Sequence, residues 1–158
     1  MAEWKFYGRE EPLGELLKIV GSERWFFCRI QGRRRIGKTT LLSKLAEAHP
    51  ELATRMVYMQ VPDSDERDVA AIFRRSLLES DFALAHEYAK NVVDFLTMSR
   101  AIGELCAAGM VIVLDEFQYF TRASLYSFNS FLQAEVDKLR TTNPRQGGLF
   151  VLGPVHTI

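Results

Sequence analysis

The chain has 158 residues, enough for about one domain with a core of its own. Hydrophobic residues make up 47% and charged residues 25%, the balance of a globular protein. Twenty basic residues are cancelled by twenty acidic ones, which argues against a whole-surface nucleic-acid binder while leaving room for a local basic patch.

The N-terminus, Met1 to Lys5, lacks the apolar stretch of a signal peptide, and no apolar run reaches the about 18 residues that span a bilayer. Cys28 and Cys106 stand in apolar contexts without forming a Cys-x-x-Cys pair, which suits buried, reduced thiols and a cytoplasmic protein. From Glu11 to Val20, the spacing of Leu13, Leu16, Leu17 and Val20 predicts a short helix, with Gly21 as its cap. Trp25 to Ile30 is an aromatic and aliphatic run with the look of a buried strand.

That strand runs directly into Gly32-Arg33-Arg34-Arg35-Ile36-Gly37-Lys38-Thr39-Thr40, which matches G-x-x-x-x-G-K-[ST]. The residue types fit phosphate binding. Gly32 and Gly37 let the backbone fold back and bring N–H groups to phosphate oxygens. Lys38 reaches the β/γ phosphates, Thr39 offers a hydroxyl to Mg²⁺, and a helix starting at Lys38 aims its positive end at the same anion. The bland alternative is a glycine turn before an amphipathic helix. The preceding strand weighs against it.

Leu41, Leu42, Leu45 and Ala46 continue as one helical face, which Pro50 ends. Arg55 to Val61 reads as a second strand, and Asp63 to Glu66 as a capping cluster rather than a catalytic one. Val69, Ile72, Phe73 and Leu77 line the helix that follows. Ser80 to Lys90 fits either a short helix or a loop. Asn91 is a candidate cap for the next helix, whose apolar side includes Phe95, Leu96, Ile102, Leu105 and Cys106, with Gly109 as its stop.

Met110 to Leu114 is a run of five apolar residues leading into Asp115 and Glu116. A fully buried parallel strand has this pattern, and ligands bind at the carboxyl ends of such strands. Asp115 fits the carboxylate that positions Mg²⁺, usually through water, and Glu116 a general base acting on an attacking water. The alternative is a strand ending in solvated charges. Phe117 to Phe120 continues as a loop, then Leu125, Phe128, Leu132, Val136 and Leu139 mark a helix over 123–140. Leu149 to Gly153 is the last strand. Alternating strands and helices imply one parallel sheet with right-handed crossovers, so the glycine-bearing and acid-bearing loops share one edge of it. No composition shift divides residues 1–158 into two domains: a helix over 11–20 precedes a core over 24–158.

Phe6 to Glu10, Gly32 to Thr39 and Val113 to Tyr119 together resemble the prokaryotic, archaeal-type ATPase family, an AAA+-related group of STAND-like P-loop NTPases. The resemblance runs from Phe6 to about Thr157. It implies a three-layer α/β fold of the ASCE/AAA+-like P-loop NTPase type, a parallel sheet flanked by helices, binding ATP or ADP with Mg²⁺. With strands numbered from the one before the glycine loop, the implied sheet order is 5-1-4-3-2. Tyr7, Gly8 and Arg9 would lie near the adenine, and a polar sensor would follow the last strand.

Two departures stand out. Gly153 is followed by Pro154, which has neither hydroxyl nor backbone N–H, leaving His156 or Thr157 as substitutes. The chain also stops before the family's fifth core strand and helical lid, as a fragment, a truncated product or a minimal domain would. The strand before the glycine loop is then expected to be an open sheet edge, which invites self-association or a protein partner.

Arg33, Arg34 and Arg35 are read as facing nucleotide or solvent rather than DNA, and Arg122 and Arg140 are candidates for an arginine finger. His49 and His86, without partners at metal-ligand spacing, are read as surface residues, and the excess of Phe and Tyr as core. ATP hydrolysis coupled to a conformational switch is the leading expectation. A non-hydrolysing nucleotide switch and a remnant that no longer binds nucleotide are the alternatives.

Overall fold

The structure is a computed structural model that describes residues 2–5, 26–31, 43–44, 47–48, 50–121, 127–142 and 148–153. The helix expected over 11–20, the glycine loop and His49 lie outside these residues, as do Arg122 and the segment from Pro154 to Thr157.

Among the described residues, the strands β1 (Ala2–Lys5), β2 (Phe26–Gln31), β3 (Met56–Gln60), β4 (Val111–Asp115) and β5 (Gly148–Gly153) form one sheet in the order β1-β2-β5-β4-β3. Every neighbouring pair is parallel. The connections carry α1 (Pro50–Arg55), α2 (Glu66–Glu79), α3 (Ala83–Ala89), α4 (Phe95–Ala107), a 3₁₀ turn (Phe117–Thr121) and α5 (Ser127–Thr142).

The implied order 1-4-3-2 is therefore observed, with β5 between β2 and β4. The expectation of an open edge at β2 is not met. Ala2 to Lys5 pairs with Cys28 to Gln31, so β2 is an interior strand and β1 takes the outer place. The four-residue alternation of Ala2 and Trp4 with Glu3 and Lys5 is too short to signal a strand by itself, and pairing with β2 supplies what periodicity lacks.

Register puts Val57 and Met59 beside Ile112 and Leu114, and these beside Leu149 and Val151. All six join the main core with Val69, Phe73 and Leu77 of α2, Phe95, Met98 and Leu105 of α4, and Phe128 and Leu132 of α5. Val111 and Val113 are buried too, but on the opposite face and outside that core. Burial on both faces accounts for the unbroken apolar run of β4. Cys106 is buried and free, its thiol set against the Gly148 carbonyl at 3.3 Å and pushed well above the usual thiol range by burial.

The acidic cluster before α2 caps helices, as expected. Asp65 accepts from the Asp68 N–H at 2.9 Å, and Glu66 accepts from the Phe95 N–H at 2.8 Å, at the start of α4. Gly109 stops α4 in a left-handed conformation (φ 99°), with its N–H on the Cys106 carbonyl and the Met110 N–H on the Leu105 carbonyl, both at 3.0 Å. Gly103, inside α4, lies against α5: a Cβ there would sit 2.5 Å from Glu135 Oε1.

Other expectations are corrected. Asn91 does not cap α4: its N–H closes a turn on Tyr88, and the helix begins only after Asp94. Asp94 caps instead, accepting from the Thr97 N–H at 2.9 Å while the Thr97 hydroxyl accepts from the Asp94 N–H at 3.0 Å. Of the two readings of Ser80 to Lys90, the short helix is observed over Ala83–Ala89, whereas 117–121 is a 3₁₀ turn rather than an open loop. His86 is half-buried, its Nε2 lying 2.6 Å from the Ser80 carbonyl and closing the turn between α2 and α3.

The Asp94 carboxyl is held below its ordinary range, first by the Thr97 N–H and then by the Thr97 hydroxyl. A lowered carboxyl pKa stabilises the fold above the unfolded value and loses that contribution as pH falls through the folded one. Asp94→Ala is expected to cost about 1 kcal/mol in urea unfolding at pH 7. The cost should shrink below about pH 4. A cost that does not change with pH would contradict this role.

Candidate functional site

In a parallel sheet, every strand delivers its carboxyl end to one edge. Here β2 ends at Gln31 opposite Gly153 of β5, and Leu114 of β4 pairs with Val151, so Asp115 is level with Leu152. The exits of β2, β5 and β4 thus share that edge. Two strand spacings separate β2 from β4, about 10 Å. Gly32, Arg33, Arg34, Arg35, Ile36, Gly37, Lys38, Thr39 and Thr40 follow β2 at this edge in sequence, but they lie outside the described residues, as do Tyr7, Gly8 and Arg9.

Asp115 and Glu116 are described, and they are built differently. Asp115 closes β4 and is 8% exposed. Its Oδ2 accepts the Tyr58 hydroxyl from β3, and its Oδ1 accepts the Glu116 N–H at 2.8 Å. Its own carbonyl accepts the Val61 N–H at 2.9 Å. Tyr58 of β3 and the N–H that follows β4 therefore fix the direction of this carboxylate. Tyr58, 41% exposed, covers it from the solvent side.

Glu116 has φ 59°, the left-handed region, and is the one non-glycine residue so placed among the described residues. A side chain pays about 1–2 kcal/mol for that conformation. The next turn sustains it. Phe117 and Phe120 are buried, and Phe120 stacks on Phe128 with ring centroids 4.1 Å apart. Phe95 meets both rings edge-on, at 5.8 and 5.4 Å. With Phe117 drawn inward only two residues after Asp115, the backbone must reverse at Glu116. The Glu116 carbonyl accepts the Tyr119 N–H at 3.3 Å, and its side-chain Oε2 accepts from Gln118 Nε2. Glu116 is left half-buried at the sheet edge, one residue beyond the strand.

This donor set suits a hard cation. A carboxylate has about four lone-pair sites, so a hydrogen bond at each Asp115 oxygen leaves acceptor capacity for a metal-bound water. No group of three or more His, Cys, Asp or Glu side chains that could hold a metal occurs among the described residues. One carboxylate completed by phosphate and water is how Mg²⁺ is usually held.

Sequence reasoning overlooked two residues at this edge. Tyr58 is found through the β3–β4 register, which no local pattern announces. Gln118 belongs to the Asp115-to-Gln118 run that carries part of the family resemblance, but its contact with Glu116 needs the 3₁₀ turn.

The family described as an ATPase domain predominantly from Archaea matches residues 6–144. Among solved structures, a Walker-type ATPase of Pyrococcus abyssi aligns with 94% of this chain and 45% of its own, at 12% identity and a TM-score of 0.57. The chain thus spans less than half of that protein, and the likeness is one of fold: the α/β fold of P-loop NTPases. PCH-2 of C. elegans aligns with 94% of this chain and 38% of its own, at 13% identity and a TM-score of 0.41. No curated protein matches in sequence. No helix among the described residues is long and apolar enough to cross a membrane.

If the turn forces Glu116 into the left-handed region, glycine should suit the position better than alanine, since both lack the carboxylate. Glu116→Gly is expected to be more stable than Glu116→Ala by about 1 kcal/mol, even after the entropy glycine adds to the unfolded chain. Equal urea midpoints would place the strain elsewhere.

Proposed function

We propose that this chain, which belongs to the family of ATPase domains found predominantly in Archaea, binds ATP at the shared sheet edge and hydrolyses it with Mg²⁺. Backbone N–H groups of Gly32 to Thr40 cradle the phosphates, and Lys38 reaches the β/γ oxygens. Thr39 and, through water, Asp115 hold Mg²⁺. Tyr7, Gly8 and Arg9 lie against the adenine, and Arg33, Arg34 and Arg35 face nucleotide or solvent. Bound Mg²⁺ supplies charge neutralisation at the β- and γ-phosphate oxygens. Glu116 takes a proton from the water that attacks the γ-phosphorus as the bond to the β–γ bridging oxygen breaks, giving ADP and phosphate. Positioning and charge stabilisation are most of what phosphoryl transfer asks of a protein.

The observation that supports this reading most is the exit of Asp115 and Glu116 from a doubly buried strand, on the edge where β2 also ends. Nucleotide-dependent ordering of that edge is the switch, read by a second copy or a protein partner in the cytoplasm. Pro154, directly after Gly153, favours a second reading, in which the site binds nucleotide as a switch without hydrolysis.

Phosphate release separates the two readings. The wild-type chain should turn over ATP, and Glu116→Gln should abolish turnover while ATP still raises the melting temperature, because a ligand of the native state adds to its stability. Thermal stabilisation without turnover in the wild type would select the non-hydrolysing switch. Undiminished turnover in Glu116→Gln would remove Glu116 from its role.

A further inference from the structure

We propose that Gln118 is the positioning residue of the reaction: its side-chain amide holds the Glu116 carboxylate in the direction from which it acts on water. The inference rests on the reading of Glu116 as the general base. Gln118 sits in the first turn of the 3₁₀ segment, between Phe117 and Phe120, both buried. Those rings belong to a stacked cluster that includes Phe95 and Phe128, so the backbone carrying Gln118 is fixed to the core from both sides. From that base Nε2 donates to Glu116 Oε2.

Glu116 is placed differently from Asp115. The Asp115 carboxylate is oriented by donors at both oxygens, Tyr58 on one and the Glu116 N–H on the other. Glu116 stands beyond the end of β4, half-buried, on a longer side chain with an extra rotatable bond. A base at this point must meet the water within hydrogen-bond reach, and a misplacement of 1 Å costs about 100-fold in rate. A Gln amide suits this task because it donates without adding a charge that would neutralise the base.

The test is a comparison of Gln118→Ala and the near-isosteric Gln118→Glu with wild type in the full chain. It follows phosphate release, the ATP dissociation constant and the melting temperature. Gln118→Ala should lower kcat about 10–100-fold, with KM and ATP affinity nearly unchanged. Gln118→Glu keeps the shape but loses the donor, and should lower kcat at least as far. In a Glu116→Gln background, Gln118→Ala should lower any residual turnover no further, since both changes remove one unit. A wild-type kcat in either Gln118 variant overturns the proposal. So does a fall in kcat accompanied by an equal loss of ATP affinity, which would make Gln118 structural. A wild-type chain that binds ATP but shows no turnover overturns the hydrolytic reading itself, and the inference with it.

Discussion

Stacking of Phe120 on Phe128, 4.1 Å between centroids, sets the direction in which the chain leaves β4. Phe117 must turn into the core one residue after Glu116, and this is why a glutamate is found at φ 59°. The aromatic cluster lies on the same face as Ile112 and Leu114, whereas Asp115 belongs with Val111 and Val113 on the other. The reversal therefore separates the two acids. Asp115 stays in the sheet, fastened to β3, and Glu116 stands outside it, fastened to the turn. The structure thus gives two adjacent carboxylates different surroundings, as the two roles proposed for them require.

The sheet adds the second constraint. Its strands are all parallel and β5 lies between β2 and β4, so the strand leading to the glycine loop and the strand leading to the acids end on one edge. With β1 paired outside it, β2 is interior. Its neighbours on both sides fix its register, and with it the point where the glycine loop begins.

Much of this was legible in the sequence. Met110 to Leu114 reads as a doubly buried strand because apolar residues fall on both of its faces, and both faces are buried. Asp65 and Gly109 are local signals, a cap acceptor and a left-handed stop, and both act where the pattern puts them. What escaped the sequence depends on partners distant along the chain. Ala2 to Lys5 becomes a strand only beside Cys28 to Gln31. Tyr58 reaches Asp115 through the register of two strands more than fifty residues apart in the chain. No local preference marks Glu116 for the left-handed region, and the rings around it impose that conformation. Asp94 prevails over Asn91 as a cap because Thr97 answers it reciprocally.

In the proposed function, the glycine loop and Asp115 serve one bound nucleotide across that edge. Calorimetric titration of ATP into the full chain, with and without Mg²⁺, tests it most directly when wild type, Lys38→Ala and Asp115→Asn are compared. Mg²⁺ should tighten ATP binding in wild type, Asp115→Asn should remove the tightening, and Lys38→Ala should weaken ATP binding under both conditions. An Asp115→Asn chain with the wild-type response to Mg²⁺, or a Lys38→Ala chain with wild-type affinity, would contradict it.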